Sequence, residues 1–304
     1  MEKNTGGLPE KVLDWVLRQF SPTAAFDSAA QLKGSTSSTL FRISLWVENS
    51  TENYVIRLLD NQEWLEEEPD LAIHEAASLQ VAEDAPVPTP EVIAIDETGI
   101  ECGIPAVLMT MQDGAVDLKP SDMESWLNQL AESLVKIHQE AGDNMPYDYF
   151  PYNDPNTIEF PSWSRVPEYW KRAIKIVAGS RPPVKECFIH RDYHPANVLW
   201  KNGRVSGIVD WVNACKGPAG VDVAHCRWNL AILYGVDAAN GFLQAYQRYA
   251  SDFLYDPYWD LRTLIDILGG PPEVYAGWAD FGVTGLTDDM MEERLDKYVV
   301  SLLE

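Results

Sequence analysis

Basic side chains are scarce in this sequence. Its 304 residues include 23 lysines and arginines against 47 aspartates and glutamates, a formal net charge of −24. A surface with this charge repels the phosphate backbone of nucleic acids and anionic membranes, so we expect neither as a partner. It attracts cationic small molecules, but acidic residues also serve solubility alone. The composition leaves both explanations open.

Long apolar runs and paired cysteines are also missing. No run approaches the roughly 20 apolar residues that cross a bilayer, and candidates such as residues 104–109 have the length of a strand. The opening residues, MEKNTGG, lack the charged and apolar regions of a secretion signal. The four cysteines form no C-x-x-C pair. This pattern predicts reduced thiols in a cytoplasmic protein, with neither a disulfide frame nor a zinc site.

Motifs of several other enzyme classes are absent as well. The chain has no Walker A loop ending in Gly-Lys-Ser/Thr and no Gly-x-Ser-x-Gly nucleophile elbow of the hydrolases. His74 and Glu75 open an H-E-x-x-H pattern, but position 78 is a serine, so the zinc protease motif is incomplete. These absences argue against a P-loop enzyme, a serine hydrolase of that type and a zinc protease.

The distribution of hydrophobic residues divides the chain in two. Apolar residues at helical spacing occur at 8–20, 70–84, 121–140, 221–234 and 238–250. Four β-rich runs, which form two predicted hairpins, all lie before residue 112. A strand-rich N-terminal part followed by a mostly helical C-terminal part predicts an α+β protein with two lobes.

The most informative stretch is FIHRDYHPANVLWKNGRVSGIVDW, residues 188–211. It contains Asp192, then Asn197 five residues later, and finally Asp210. The residues between Asn197 and Asp210 read as an apolar strand, a Lys-Asn-Gly turn and a second apolar strand, which is the pattern of a hairpin. A hairpin brings its two ends together, so we expect Asn197 and Asp210 to be neighbours, with Asp192 on the loop just before them.

These three side chains match the needs of phosphoryl transfer. A carboxylate must orient the attacking hydroxyl and accept its proton, and hard oxygen ligands must hold Mg²⁺ against the phosphates. We therefore predict Asp192 as the catalytic base and Asn197 with Asp210 as the magnesium ligands. Each residue alone is a weak signal, and the prediction depends on their order, their spacing and the intervening hairpin together.

The same stretch resembles the signature of the aminoglycoside phosphotransferases and their relatives. That signature is similar to His-Gly-Asp-x-His-Pro-x-Asn-Val-Leu followed by a strand ending in Ile-Asp-Trp, and this chain has HRDYHPANVL and IVDW. Arg191 replaces the usual glycine. The resemblance implies a bilobal, protein-kinase-like fold, in which a small β-rich N-terminal lobe (1–112) binds the nucleotide and a larger, mainly helical C-terminal lobe (113–304) carries catalysis and acceptor binding.

The resemblance also implies which residues bind ATP or GTP. Arg57, in the strand YVIRLL, stands where the family has a phosphate-binding lysine, and Glu75 is the helical carboxylate that would hold it. The two cations are not interchangeable, because the guanidinium is a planar fork and the ammonium a point charge. GSTSSTLFR resembles the loop that covers the nucleotide, with Ser35 and Ser37 as candidates to cap phosphates.

The segment LMTMQDG resembles the family's hinge between the lobes. Carried over residue by residue, Met109 would lie behind the adenine, Thr110 would offer its carbonyl and Gln112 its amide. Read without the family, the segment is a strand that ends in an Asp-Gly turn.

Four further polar residues receive structural predictions. Asp222, in GPAGVDVAHC, matches a family residue that braces the catalytic loop, and His190 would hold the same loop. His138 and His225 lie on apolar helices, and we predict them to be packed histidines, not catalysts.

The function implied is a kinase that phosphorylates a hydroxyl of a small molecule. The acidic C-terminal part favours a cationic acceptor such as an aminoglycoside, and the aromatic segment 147–170 favours one with apolar bulk such as a macrolide. Relatives that phosphorylate choline or homoserine keep a metabolite kinase open as an alternative. An inactive nucleotide-binding protein of the same fold also remains, because Arg57 departs from the family's lysine.

Overall fold

The computed structural model of the protein describes residues 5–33 and 37–304. The helices among them are α1 (Glu10–Arg18), α2 (Gln62–Glu67), α3 (Leu71–Ala82), α4 (Met123–His138), α5 (Pro167–Val177), α6 (Ala219–Tyr234), α7 (Val236–Tyr249), α8 (Tyr258–Asp266), α9 (Gly277–Asp280) and α10 (Asp288–Leu303). The strands are β1 (Ala25–Gln31), β2 (Thr39–Val47), β3 (Ser50–Leu58), β4 (Val92–Asp96), β5 (Ala106–Thr110), β6 (Ala115–Val116), β7 (Glu186–Ile189), β8 (Val198–Lys201), β9 (Arg204–Ile208) and β10 (Cys215–Pro218).

The N-terminal part is built on one antiparallel sheet with the strand order β1-β2-β3-β5-β4. The two predicted hairpins are both present, as the pairs β2–β3 and β4–β5. The strand β1 was not expected from the sequence and pairs with β2 at the edge of the sheet. Arg57 lies on the central strand β3, opposite Leu40 on one side and Val107 on the other.

The two faces of this sheet have different neighbours because side chains alternate along a strand. The apolar stripe of α1, with Val12 and Val16, packs in one cluster with Ile43 and Ile56 of the sheet. The opposite face, which carries Val55, belongs to the larger cluster that continues into the C-terminal part. Arg57, two residues from Val55 along β3, is therefore directed toward the rest of the molecule and not toward α1.

The C-terminal part is mainly helical and surrounds α6. Most residues of α6 are buried, and it packs against α7, α8 and α10. Two small sheets lie beside it, the pair β7–β10 and the sheet β6-β8-β9. The predicted α+β class, with a strand-rich first part and a helical second part, is confirmed. Residue 112, where we predicted the boundary, lies between β5 and β6.

Two further sequence predictions concern membranes and thiols. Across residues 5–33 and 37–304, no helix has both the length and the apolar character to cross a bilayer. All four cysteines are buried and none is paired with another.

Candidate active site

The residues predicted for catalysis lie on one continuous stretch that begins where β7 ends. Asn197 closes a single 3-10 turn, Pro195–Asn197, and the hairpin β8–β9 follows it at once. The hairpin returns the chain to Asp210, and the backbone amide of Val209 donates to the carbonyl of Asn197 at 3.0 Å. The predicted hairpin therefore exists and brings the two predicted magnesium ligands to the same end.

The loop that carries Asp192 is held by the fully buried carboxylate of Asp222 on α6. Its two oxygens accept the backbone amides of His190 at 2.7 Å and Arg191 at 2.6 Å, and Nε2 of His138 lies 3.1 Å from Oδ2. The prediction that Asp222 braces this loop is confirmed. His138 is packed, as predicted, with its Nδ1 2.7 Å from the Tyr246 hydroxyl.

Replacing Asp222 by alanine leaves these three buried donors without their acceptor. An unsatisfied buried donor costs about 1–3 kcal/mol, so we expect Asp222→Ala to lower the free energy of unfolding by about 3 kcal/mol or more. Urea denaturation followed by circular dichroism measures it. Asp222→Asn, which keeps the volume and one acceptor oxygen, is the matched control and should cost less. A loss below about 0.5 kcal/mol for Asp222→Ala, the range of ordinary surface substitutions, would contradict this bracing role.

Asp192 is held from both of its carboxylate oxygens. Oδ2 accepts a hydrogen bond from Nδ2 of Asn197 at 3.0 Å, and Oδ1 lies 3.0 Å from Nε2 of His225 and 3.8 Å from Nε2 of His194. Burial opposes ionisation, but the two histidines outweigh it and hold the pKa of Asp192 well below its usual range. The carboxylate is therefore ionised at neutral pH.

The prediction that His225 is only a packed histidine is wrong. Its side chain is 19% exposed, it lines the central cavity, and it contacts Asp192 directly. His190, in contrast, holds the loop as predicted, since its Nε2 lies 3.0 Å from the carbonyl of Val209.

Arg57 is a buried cation between two carboxylates. Its Nε lies 3.1 Å from Oε1 of Glu75, and its Nη2 donates to Oδ1 of Asp210 at 2.8 Å. Burial alone lowers the pKa of Arg57, but the two carboxylates outweigh it and raise the pKa above its ordinary value. Burial raises the pKa of Glu75 to about 7, although Arg57 opposes that shift. Arg57, the predicted phosphate-binding cation, thus forms ion pairs with both Glu75, its predicted partner, and Asp210, a predicted metal ligand.

Two residues of this region adopt the left-handed backbone conformation, which costs a residue that has a Cβ. They are Arg191, with φ of 67°, and Asp210, with φ of 69°. The side chain of Arg191 donates to the carbonyl of Phe150 at 2.7 Å, and its guanidinium carbon lies 4.2 Å from the ring centres of Phe150 and Tyr152. Such strain persists only where the surroundings impose it, and it concentrates at functional sites.

The donors around Asn197 and Asp210 are suitable for Mg²⁺. The side-chain nitrogen of Asn197 donates to the Asp192 carbonyl at 2.9 Å and to the Asp192 carboxylate. The side-chain oxygen of Asn197 is left to bind a cation. The carboxylate of Asp210 is 32% exposed and lines the same cavity. One amide oxygen and one carboxylate form the sparse, hard set with which Mg²⁺ is bound together with substrate phosphates. In the described part of the chain, no three His, Cys, Asp or Glu side chains group as a self-contained metal site.

These residues line one cavity of about 1270 Å³ between the N-terminal sheet and the C-terminal part. Its inner wall includes Arg57, Asp192, Asn197 and Asp210. Apolar side chains from both parts of the chain line it as well and form what we call the apolar slot; they are Leu32, Leu40, Val55, Leu199 and Val209. An apolar slot in a cavity that also holds a cation and oxygen ligands has the chemistry to bind a nucleotide base with its phosphates.

The predicted hinge residues border this slot. Met109 is buried, Thr110 is the last residue of β5, and Gln112 lies on the chain that leaves this strand. The hydroxyl of Thr110 accepts the backbone amide of Glu91 at 2.8 Å, and the side chain of Gln112 donates to the carbonyl of Thr89 at 2.8 Å. Ser37 also lines the cavity, whereas Ser35 lies outside the described residues.

The cavity is also bordered by α6 and by the segment 267–281. One face of α6 lines the cavity, and its residues recur every three or four positions; they are His225, Trp228, Asn229 and Ile232. The opposite wall adds aromatic and acidic side chains; they are Trp163, Glu273, Tyr275, Trp278 and Asp280. Asp192 lines the same cavity and contacts His225 of this helix face.

Comparisons with known proteins agree with this geometry. The model of the phosphotransferase enzyme family matches residues 28–260. A homoserine kinase from Chelativorans sp. (strain BNC1) is 28% identical over 165 residues, which are 48% of this chain and 49% of that protein. The match thus spans about half the length of that curated relative.

Solved structures share the fold over nearly the whole chain. A thermostable mutant of aminoglycoside phosphotransferase APH(4)-Ia, in a ternary complex with ADP and hygromycin B, superposes with a TM-score of 0.62 at 17% identity, covering 96% of this chain and 98% of that one. The macrolide 2'-phosphotransferase MphH from Brachybacterium faecium superposes with a TM-score of 0.59 at 16% identity, covering 85% and 88%. The bilobal fold expected from the HRDYHPANVL stretch is thereby confirmed.

Proposed function

This chain belongs to the phosphotransferase enzyme family, and from that membership we propose that it is a kinase that transfers the γ-phosphate of ATP or GTP to a hydroxyl of a small molecule. The observation that carries the proposal is the convergence of Asp192, Asn197, Asp210 and Arg57 on one wall of one cavity. In this proposal residues 1–112 bind the nucleotide and residues 113–304 supply the base and the acceptor site.

Each residue has a separate role in this proposal. Arg57, held by Glu75, neutralises the phosphates, and Asn197 and Asp210 hold Mg²⁺. A bound Mg²⁺ ion would offset the charge that develops on the phosphate oxygens. The base of the nucleotide would enter the apolar slot; the residues proposed to contact the nucleotide there and at its phosphates are Met109, Thr110, Gln112, Ser37 and Ser35.

Asp192 would act on the acceptor. Its ionised carboxylate accepts a hydrogen bond from the acceptor hydroxyl and aims the oxygen at the γ-phosphorus. As the new oxygen–phosphorus bond forms, the bond to the β-phosphate oxygen breaks in line, and the hydroxyl proton passes to Asp192. Most of the acceleration in such a site comes from positioning and charge stabilisation, which is why the held geometry of Asp192 matters.

We propose that the acceptor carries at least one amine that is protonated at neutral pH. The net charge of −24 supports this, as do Glu273 and Asp280, exposed acidic side chains on the outer wall of the cavity. Aromatic rings beside them, among them Trp278 and Tyr275, suit a cation or an apolar sugar face. An aminoglycoside or macrolide antibiotic meets this description, and a choline or homoserine kinase is the second candidate because of the homoserine kinase relative.

The four unpaired, buried cysteines support a reducing compartment, and we propose a cytoplasmic location.

A nucleotide-consumption assay over a panel of acceptors tests the function. ATP and GTP are each offered with hygromycin B, a macrolide, choline and homoserine, and ADP or GDP release is measured with Asp192→Asn as the inactive control. We expect at least one acceptor to raise release well above the rate with water. Tight nucleotide binding with no transfer to any hydroxyl would favour the inactive, nucleotide-binding alternative.

The salt dependence of the reaction tests the charge of the acceptor. Attraction between exposed charges is screened over about 8 Å at physiological ionic strength, so the KM of a cationic acceptor should rise as salt rises. The KM of the nucleotide, whose proposed partner Arg57 is buried, should change less. Initial rates at low and high salt, with each substrate varied in turn, separate the two. A neutral best acceptor with no salt dependence would mean that the acidic surface serves solubility alone.

Two substitutions at Arg57 test whether this arginine binds the nucleotide phosphates as the family's lysine would. Arg57→Ala should weaken nucleotide binding and reduce turnover by at least about tenfold, because it removes the guanidinium from the phosphates and leaves Glu75 buried without a partner. Arg57→Lys should keep part of the activity, since the charge stays and only the planar fork is lost. Calorimetry with AMP-PNP and initial rates measure both. Wild-type behaviour of Arg57→Ala would remove Arg57 from the site.

A further inference from the structure

The contact between His225 and Asp192 joins the proposed base to the wall of the cavity where the acceptor would lie. His225 lies on α6, and its Nε2 is 3.0 Å from Oδ1 of Asp192. Trp228 and Asn229, three and four residues later, follow it on the same helix face and line the same cavity. The helix that borders the acceptor part of the cavity therefore also touches the base.

The carboxylate of Asp192 needs more than one contact to keep a single orientation. The terminal torsion of an aspartate side chain is broad and roughly two-fold, so one hydrogen bond leaves the group free to turn. Asn197 holds Oδ2, and His225 is the second donor, on Oδ1. Together the two donors fix the plane of the carboxylate.

The neighbouring His194 does not supply this contact. Its Nε2 is 3.8 Å from Oδ1 of Asp192, which is too long for a hydrogen bond. Its Nδ1 accepts the backbone amide of Ala196 at 3.3 Å, so its ring serves the turn that leads to Asn197.

We propose that His225 is the positioning residue of the phosphotransfer reaction, which donates Nε2–H to Asp192 and sets the angle at which its carboxylate meets the acceptor hydroxyl. This inference rests on the proposed function, because it assigns the partner of the proposed base. It also gives a role to His225, which is only partly buried in a helix whose residues are mostly buried.

A second polar group lies on the same face. Nε1 of Trp228 is buried and has no hydrogen-bond partner among the described residues, although Trp228 lines the cavity and its ring lies 5.6 Å from that of His225. The Trp228 ring thus extends the His225 face of α6 along the cavity wall where the proposed acceptor would bind.

The kinetic test compares two substitutions of similar size at one position. His225→Leu removes the donor and should lower kcat by about 10–100-fold, the order expected when a reacting group is misplaced by about 1 Å. His225→Gln keeps a nitrogen that donates and should recover most of kcat. Both should leave the KM of magnesium ATP within about twofold, since nucleotide contacts lie elsewhere. Equal kcat for the two variants, or wild-type kcat for His225→Leu, would overturn the proposal.

A spectroscopic measurement makes the test independent of any acceptor. In protein labelled with ¹⁵N-histidine, Nε2 of His225 should carry a proton, and its resonance should move when Asp192→Asn is introduced. An unchanged resonance would overturn the contact even if the enzyme is active. If the contact is present but no acceptor is phosphorylated, the proposed function fails and the His225–Asp192 pair stands. If phosphorylation occurs and His225→Leu has wild-type kcat, only the His225 inference fails.

Discussion

Replacing Asp192 by asparagine is expected to lower kcat by about a hundredfold or more, within the range of a lost general base. The amide has nearly the shape of the carboxylate but accepts no proton from a hydroxyl. Nucleotide affinity should change little, because Arg57, the phosphate cation of our proposal, pairs with Glu75 and Asp210, and no hydrogen bond or ion pair joins it to Asp192 among the described residues. Initial rates with the best acceptor of the panel and calorimetry with AMP-PNP measure the two quantities.

Asparagine at position 192 can keep the hydrogen bonds that Asp192 makes, so the substitution removes the base without disturbing the loop. The oxygen of the new amide can accept from Asn197 as Oδ2 does now, and its nitrogen then faces His225. The imidazole accommodates this by exchanging tautomers, since a neutral ring presents one donor and one acceptor. A thermal midpoint close to that of the wild type would confirm that the loop is intact. Near-normal turnover in that folded variant would remove Asp192 from its proposed role.

The residues that meet at the site could be predicted because the sequence places most of them on one short stretch. Asp192, Asn197 and Asp210 lie within 19 residues of each other, and the hairpin between the last two is a local structure with a local turn signal at Asn202 and Gly203. Arg57 and Glu75 are as close in the sequence, but one lies on β3 and the other on α3, with no hairpin or turn motif that predicts their contact. Their pairing followed only from the resemblance to the family, and the contact at 3.1 Å is present.

Parts of the sheet structure were not predictable from periodicity. The strand β1 reads AFDSAAQ, in which small and polar residues replace the β-branched and aromatic ones that mark a strand, and pairing with β2 sets its conformation. The strand β10 reads CKGP; it pairs with β7, nearly 30 residues earlier, and Lys216 within it also forms a parallel bridge with Asp148. In both cases the tertiary partner determines the structure and local propensity does not.

The position of His225 was missed for a related reason. The helix α6 is buried on nearly all sides, and its polar residues Asp222, Arg227 and Asn229 are buried together with its apolar ones, so polarity in its sequence does not mark an exposed side. A histidine in such a helix reads as a packed residue. Only the packing of α6 beneath the loop 190–192, fixed by Asp222 one helical turn earlier, places its imidazole at the base.

Removing the carboxylate of Asp210 should remove the effect of magnesium on nucleotide binding. In our proposal Asp210 is the anionic ligand and Asn197 a neutral one, so Asp210→Ala leaves the cation with a single protein oxygen. Even outer-shell partners of metal sites are worth about 10–100-fold in affinity, and we expect the loss of a direct ligand to exceed that. Calorimetric titration of AMP-PNP with and without magnesium measures the difference in affinity that the metal contributes.

Asp210 also pairs with Arg57 at 2.8 Å, so the alanine variant alone does not separate metal binding from the loss of that ion pair. Asp210→Asn separates them, because its amide oxygen still accepts from Arg57 but no longer supplies a negative charge to the cation. If Asp210 is a magnesium ligand, the magnesium dependence falls in both variants, and it falls further in the alanine variant because the amide oxygen of asparagine is still a neutral ligand. If Asp210 serves only to hold Arg57, the asparagine variant keeps that dependence and the alanine variant binds nucleotide weakly with or without the metal. Unchanged affinity and unchanged magnesium dependence in both variants would place the metal elsewhere in the cavity.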